Sequence, residues 1–324
     1  MEFSQEESRA LTYIRVFSML AIVICHICQT YSRTNHWAYL FNIGVQVFLA
    51  LSGYLYGHKI ITNWKQFYVG RIKRVYIPFV LFLVLVLPFY LIFHRDVFSW
   101  KAYLLNFTNL QGVAFAMGGG MIPGIRHLWF LTAIMFGYLI TPFLQRIAKY
   151  ADCLLPFIII CVGIGYVFVP GAIVFPASWI FIYAICYLYC HLHNTKVYDI
   201  GLLVLSVILA ILICFSGWEV ITSYFNPLSR CFHDIIGVFT VVWGVKILNN
   251  VGKIKLPYFV GVLDRYSFYI YIIHYFFIIG PFSLARITPC VMLNICIILF
   301  VSAIATFVLV WIIRKVNVMI FNSK

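Results

Sequence analysis

The chain has 324 residues, 64% of them apolar and only 10% charged, where soluble domains carry roughly 25% charged residues. An ordinary soluble globule is excluded, and apolar runs long enough to cross a bilayer, about 20 residues each, predict one bundle of membrane helices with no second soluble domain. The net charge of +14 would suit nucleic acid in a soluble protein, so its distribution decides what it means.

Taken in chain order, the apolar runs predict an all-α integral membrane protein of about ten spans, at 11–31, 40–58, 75–94, 128–147, 154–170, 174–190, 200–216, 231–248, 266–284 and 290–313. The first is long for a signal peptide and lacks a small-x-small cleavage site, so it is expected to stay attached. With both termini in the cytoplasm, only Arg33, Arg95, Lys101, Arg126, Arg230 and Arg286 of the 23 Lys and Arg fall outside, leaving seventeen inside. This positive-inside bias accounts for the basic charge through membrane lipids and gives no role to nucleic acid. The connection 95–126 is half apolar, ends in Gly118-Gly119-Gly120, and reads as a re-entrant or surface segment. Connections of this length often carry function. Five tryptophans, Trp37, Trp100, Trp129, Trp179 and Trp218, fall on the outer side, where an aromatic belt explains most of them. No internal repeat is visible, so an inverted-repeat transporter is not suggested.

Most of the ten cysteines sit within apolar runs and read as packed or lipid-facing thiols. Cys25 and Cys28 flank His26, but no second Cys-x-x-Cys follows, so no metal is expected.

Ionisable groups inside a bilayer are costly and mark function. Arg15 and His26 are eleven residues apart, about three helical turns, so they share one face at a separation of about 16 Å along the axis. Arg15 lies near the cytoplasmic surface and His26 beyond the midplane. Arg71 and Arg74, before the third span, would stand one turn apart on an α-helix and offer two planar forks to phosphate oxygens; a lipid-headgroup anchor is the competing account. Gln46, Ser52-Gly53, His127, His233-Asp234, Tyr271 and His274 also interrupt the spans. Each has a plainer reading as an interhelical hydrogen bond, but an anchor has no use for histidines in several helices.

These residues fall in an ordered set: Arg15-x10-His26, GVQVFLALSGYL from Gly44, RIKR from Arg71, HLWFL from His127, YLITPFL from Tyr138 and YSFYIYIIH from Tyr266. The set resembles the membrane acyltransferase-3 family and covers most of the chain. The resemblance implies an O-acetyltransferase using acetyl-CoA as donor, with no metal, acting on an exported or lipid-linked glycan in a bacterial plasma membrane. It implies functional roles for Arg15 and His26 and for Arg71 and Arg74. Arg15, Arg71 and Arg74 would hold donor phosphates, and His26 would be the base or the acylated nucleophile. His127, Tyr271 and His274 are candidates for oxyanion or acceptor contacts. Many relatives carry acids where this chain has Gln46 and Ala133 to Phe136, so no carboxylate is expected to act there. A transporter or flippase of glycans is the alternative.

Overall fold

The computed structural model describes residues 3–31, 35–169, 171–217, 226–251 and 255–321. Arg33, Trp218, Lys253 and Lys324, used above for topology, lie outside them. Within the described residues the secondary structure is helical throughout, with no strand. The elements are α1 (Gln5–Thr30), α2 (Asn35–Phe41), α3 (Gly44–Gly57), α4 (Trp64–Arg71), a π-turn (Ile72–Tyr76), α5 (Ile77–Phe93), α6 (Trp100–Phe107), α7 (Gln111–Ala116), α8 (Trp129–Ile147), α9 (Ala151–Phe168), α10 (Gly171–Tyr189), α11 (Lys196–Ser216), α12 (Pro227–Asn250), α13 (Tyr258–Ile278) and α14 (Val291–Phe321).

Seven stretches among the described residues are long and apolar enough to cross a membrane. One of them, Arg126–Phe168, has 43 residues. At 1.5 Å per residue it would measure about 65 Å, more than twice a hydrocarbon core of about 30 Å. The 3₁₀ turn Ala148–Tyr150 interrupts it where the sequence predicts the break between the fourth and fifth spans. The second expected span, 40–58, covers α3 and only the end of α2, and the third begins earlier than expected, in α4.

Contacts divide the chain into two compact units, 1–62 with 133–265, and 63–132 with 266–324. In the first unit, α1 buries Leu11, Ile14, Ser18, Ala21, Ile22 and Cys25 and turns Phe17, Leu20 and Ile24 outward. Large apolar residues thus lie on both faces, as suits a helix whose lipid side is as apolar as its protein side, and the small residues Ser18, Ala21 and Cys25 lie at the protein contact. Its N-terminus closes in a capping box, Ser4 Oγ accepting from Glu7 N and Glu7 Oε2 accepting from Ser4 N. Close approach continues across α3: a Cβ at Gly53 would lie 2.2 Å from the Tyr183 carbonyl oxygen, and one at Gly237 would lie 2.4 Å from Gln46 Cβ. The α3 contacts with α10 and α12 therefore require glycine.

In the second unit, α5 packs with α14, and Tyr90 Oη donates to the Pro123 carbonyl at 2.5 Å. The connection before α14 is held by Asn294, whose Nδ2 donates to Ala285 O and Thr288 O. The segment expected to be re-entrant or superficial forms the two short helices α6 and α7. The triple glycine ends α7. Gly118 N donates to Phe115 O and Gly119 N to Ala114 O, the paired bonds of a Schellman cap, with Gly118 at φ +72°.

Candidate functional site

Two groups of candidate residues lie in the first unit, both hung on α1. Arg15 and His26 are on one continuous helix, as the spacing requires. Arg15 Nη1 donates to Asp264 Oδ1 at 2.7 Å, with 28% and 21% of the two side chains exposed. Sequence reasoning missed Asp264. The available signal was an acid standing two residues before the YSFYIYIIH motif in a chain with only nine acids. A guanidinium has five N–H donors, and the bond to Asp264 takes one.

His26 Nδ1 lies 2.9 Å from Gln29 Oε1. An amide oxygen only accepts, so this bond puts the imidazole hydrogen on Nδ1 and the lone pair of the neutral ring on Nε2. The bond is local, across one turn of α1, and needs no other element to form.

Toward the same end of this unit as His26, α12 carries a buried polar layer. Tyr166 Oη donates to Asp234 Oδ2 in a short hydrogen bond. Arg230 Nε lies 3.9 Å from the same oxygen, and its guanidinium sits 5.8 Å from the Trp179 ring centre. His233 reaches Ser229 O and Tyr39 O, each at 2.6 Å, tying α12 to α2. Trp179 is buried and is thus part of this layer, not of an aromatic belt; Trp37 and Trp100 are exposed.

In the second unit, the RIKR segment departs from the α-helix expected there. Arg71 ends α4, and the next five residues form a π-turn closed by Ile77 N donating to Ile72 O. The i→i+5 turn begins between Arg71 and Arg74, so the two do not lie on one regular α-helix. π-turns of this kind concentrate at functional sites. Arg71 is half-buried with its guanidinium 5.7 Å from the Phe67 ring centre, and Arg74 is exposed.

His127, Tyr271 and His274 come together in this unit, all buried. His127 Nε2 lies 3.0 Å from Tyr271 O and 3.1 Å from Ile272 O, and Tyr271 Oη donates back to His127 O at 2.5 Å. His274 Nδ1 lies 3.0 Å from Ile270 O and 2.8 Å from Tyr271 O. The His127 ring stacks on Tyr275 at 4.6 Å and meets His274 edge-on at 5.2 Å. Carbonyl oxygens only accept, so the hydrogens sit on His127 Nε2 and His274 Nδ1. In the neutral rings, His127 Nδ1 and His274 Nε2 are then lone-pair acceptors. The Tyr271 hydroxyl hydrogen is directed at His127 O. Among the described residues, no group of three or more His, Cys, Asp or Glu has the arrangement of a metal site.

A family model described as an acyltransferase domain matches residues 8–315. The chain is also similar to the peptidoglycan O-acetyltransferase OatA of Listeria monocytogenes, with 26% identity over 158 residues. That match covers 43% of this chain and 24% of the relative, so the chain spans well under two thirds of that protein's length. No solved structure matches.

Proposed function

The chain belongs to the acyltransferase-3 family of membrane acyltransferases, and from that premise we propose that it moves an acetyl group from cytoplasmic acetyl-CoA to a hydroxyl of an extracytoplasmic glycan. The setting is a bacterial plasma membrane, with ten spans and both termini inside. The relative's name specifies peptidoglycan and supports a glycan acceptor here. Arg15, Arg71 and Arg74 bind the donor phosphates, and Asp264 orients the Arg15 fork.

The observation that carries the chemistry is the His26–Gln29 bond, because it leaves Nε2 as the basic nitrogen. In direct transfer, Nε2 takes the proton of the acceptor hydroxyl as its oxygen attacks the thioester carbonyl. The tetrahedral intermediate collapses with cleavage of the C–S bond, and the imidazolium returns the proton to the departing thiolate. In the two-step alternative Nε2 itself takes the acetyl group and the hydroxyl attacks the acyl-imidazole. Of the two roles expected of His127, Tyr271 and His274, oxyanion or acceptor contacts, the bonds of His127 Nε2 and His274 Nδ1 to backbone carbonyls support acceptor contacts.

The test is transfer of label from radiolabelled acetyl-CoA into peptidoglycan fragments and lipid-linked glycans, using vesicles containing the protein. Labelled glycan that is absent with a His26→Ala protein is the expected result. Glycan crossing the membrane with no consumption of acetyl-CoA would overturn the proposal in favour of a flippase.

A further inference from the structure

The connection 95–126 builds a feature that none of the assigned residues uses. Helices α6 and α7 enclose a half-open groove of about 540 Å³, within the range of small-ligand sites. Its lining is apolar, with Leu105, Leu110, Val113, Ala114 and Met117, and Lys101 is the only charged residue among those lining it. On α6, Trp100, Leu104 and Phe107 are exposed while Ala102, Tyr103 and Asn106 are buried. Large apolar residues thus face outward at helical spacing from a helix too short to span, which suits residence at the membrane surface among acyl chains.

The groove is also tied to the histidine cluster. Gln111 Nε2 donates to Leu128 O at 2.6 Å, Gly112 N to Thr132 Oγ1 at 3.0 Å, and Thr132 Oγ1 to Asn109 O at 2.8 Å. The segment 128–132 that shares these bonds begins one residue after His127. Ordinary phospholipid covers convex helix surfaces all round such a protein. A concave recess beside the candidate acceptor residues, with one cation and an apolar floor, instead fits one particular amphiphile with a long apolar chain and an anionic head.

We propose that this groove seats the carrier chain of a lipid-linked acceptor glycan, with Lys101 pairing its phosphate linkage. The proposal rests on the glycan-acceptor reading above and names the form in which the acceptor arrives. The Schellman cap supports it locally, because Gly118 and Gly119 turn the chain away from the end of α7 and Gly120 adds no side chain where the lining continues.

The experiment uses the full chain in neutral phosphatidylcholine nanodiscs and a polyprenyl diphosphate bearing a diazirine on its chain, with cross-linked peptides mapped by mass spectrometry. Labelling should concentrate within residues 99–121 and be competed by unlabelled polyprenyl diphosphate at a concentration about tenfold below that needed of phosphatidylglycerol. Val113→Trp, which fills the recess, should lower labelling about tenfold. Lys101→Glu, at an exposed position where folding is not at risk, should weaken competition about fivefold. Labelling spread over the helix perimeter, equal competition by phosphatidylglycerol, or full labelling of a folded Val113→Trp protein would each overturn the proposal. Labelling does not depend on acetyl transfer, so a protein that labels at 99–121 but never acetylates supports the groove and refutes the transferase reading.

Discussion

Replacing Asp264 by Asn should change donor binding with opposite signs in two backgrounds. The carboxylate holds Arg15 through one bond of 2.7 Å between side chains that are 28% and 21% exposed. A hydrogen bond to a charged group is worth roughly 1.5–3 kcal/mol, and partial exposure moves this to about 1–1.5 kcal/mol. Losing the anchor should therefore weaken acetyl-CoA binding about 5- to 12-fold if the fork must be held for the phosphates. Against this, the carboxylate repels a polyanionic donor. For unit charges about 8 Å apart in water the repulsion is about 0.5 kcal/mol, so its removal tightens binding about twofold. Orientation wins, and Asp264→Asn alone should weaken binding about two- to fivefold.

In an Arg15→Ala protein nothing remains to orient. That variant should already bind donor about 12- to 140-fold more weakly, and adding Asp264→Asn should recover about twofold through the lost repulsion. Calorimetric titration of acetyl-CoA into the four purified, monodisperse proteins completes the double-mutant cycle. If the Asn substitution weakens binding equally in both backgrounds, Asp264 acts on folding or on its own account, and its role as the partner of Arg15 is refuted.

His26→Ala should retain donor affinity and lose turnover by about 10²–10⁴-fold if the residue is a general base, with no rescue at high acetyl-CoA; near wild-type label transfer would remove it from the mechanism. Gln29→Ala, which releases the tautomer, should lower kcat with little change in the donor KM, and a change confined to KM would show that Gln29 does not orient the ring. Arg71→Lys and Arg74→Lys should recover little of the donor affinity lost in the Ala variants, because an ammonium lacks the planar fork; full recovery in titrations would make these residues simple cationic anchors. Gly118→Ala should destabilise by about 1–2 kcal/mol from its left-handed backbone, whereas Gly120→Ala should stay within about 0.5 kcal/mol, and equal thermal shifts would contradict the cap. Cysteine-accessibility mapping should find Lys65 positions labelled from the cytoplasm and Lys101 positions from outside, and both labelled from one side would overturn the orientation.

What composition revealed depended on cost. A cation or imidazole inside an apolar run is expensive enough that Arg15, His26, His127 and His274 stood out without any structure. Asp264 did not, because its partner lies 249 positions away and only folding discloses the pair. The π-turn at Ile72–Tyr76 was hidden for another reason: it is a change of hydrogen-bond register, which leaves no mark on hydropathy. The second span, expected at 40–58, starts close to α3, and the turn of Asn42 and Ile43 that separates α3 from α2 leaves no mark on hydropathy.

The histidine cluster shows what residue type alone leaves open. By residue type, His127, Tyr271 and His274 are candidates for either oxyanion or acceptor contacts. Each proves to have directed its hydrogen at a backbone carbonyl, His127 and Tyr271 reciprocally and His274 within its own helix. The carbonyls already take backbone hydrogen bonds in helical structure, so each of these is a second bond to an oxygen with two lone pairs. They also fix which nitrogen of each neutral ring bears the lone pair. Such a nitrogen repels an oxyanion and attracts a hydroxyl hydrogen. Under the proposed function, this arrangement supports a contact with the acceptor hydroxyl before its proton leaves.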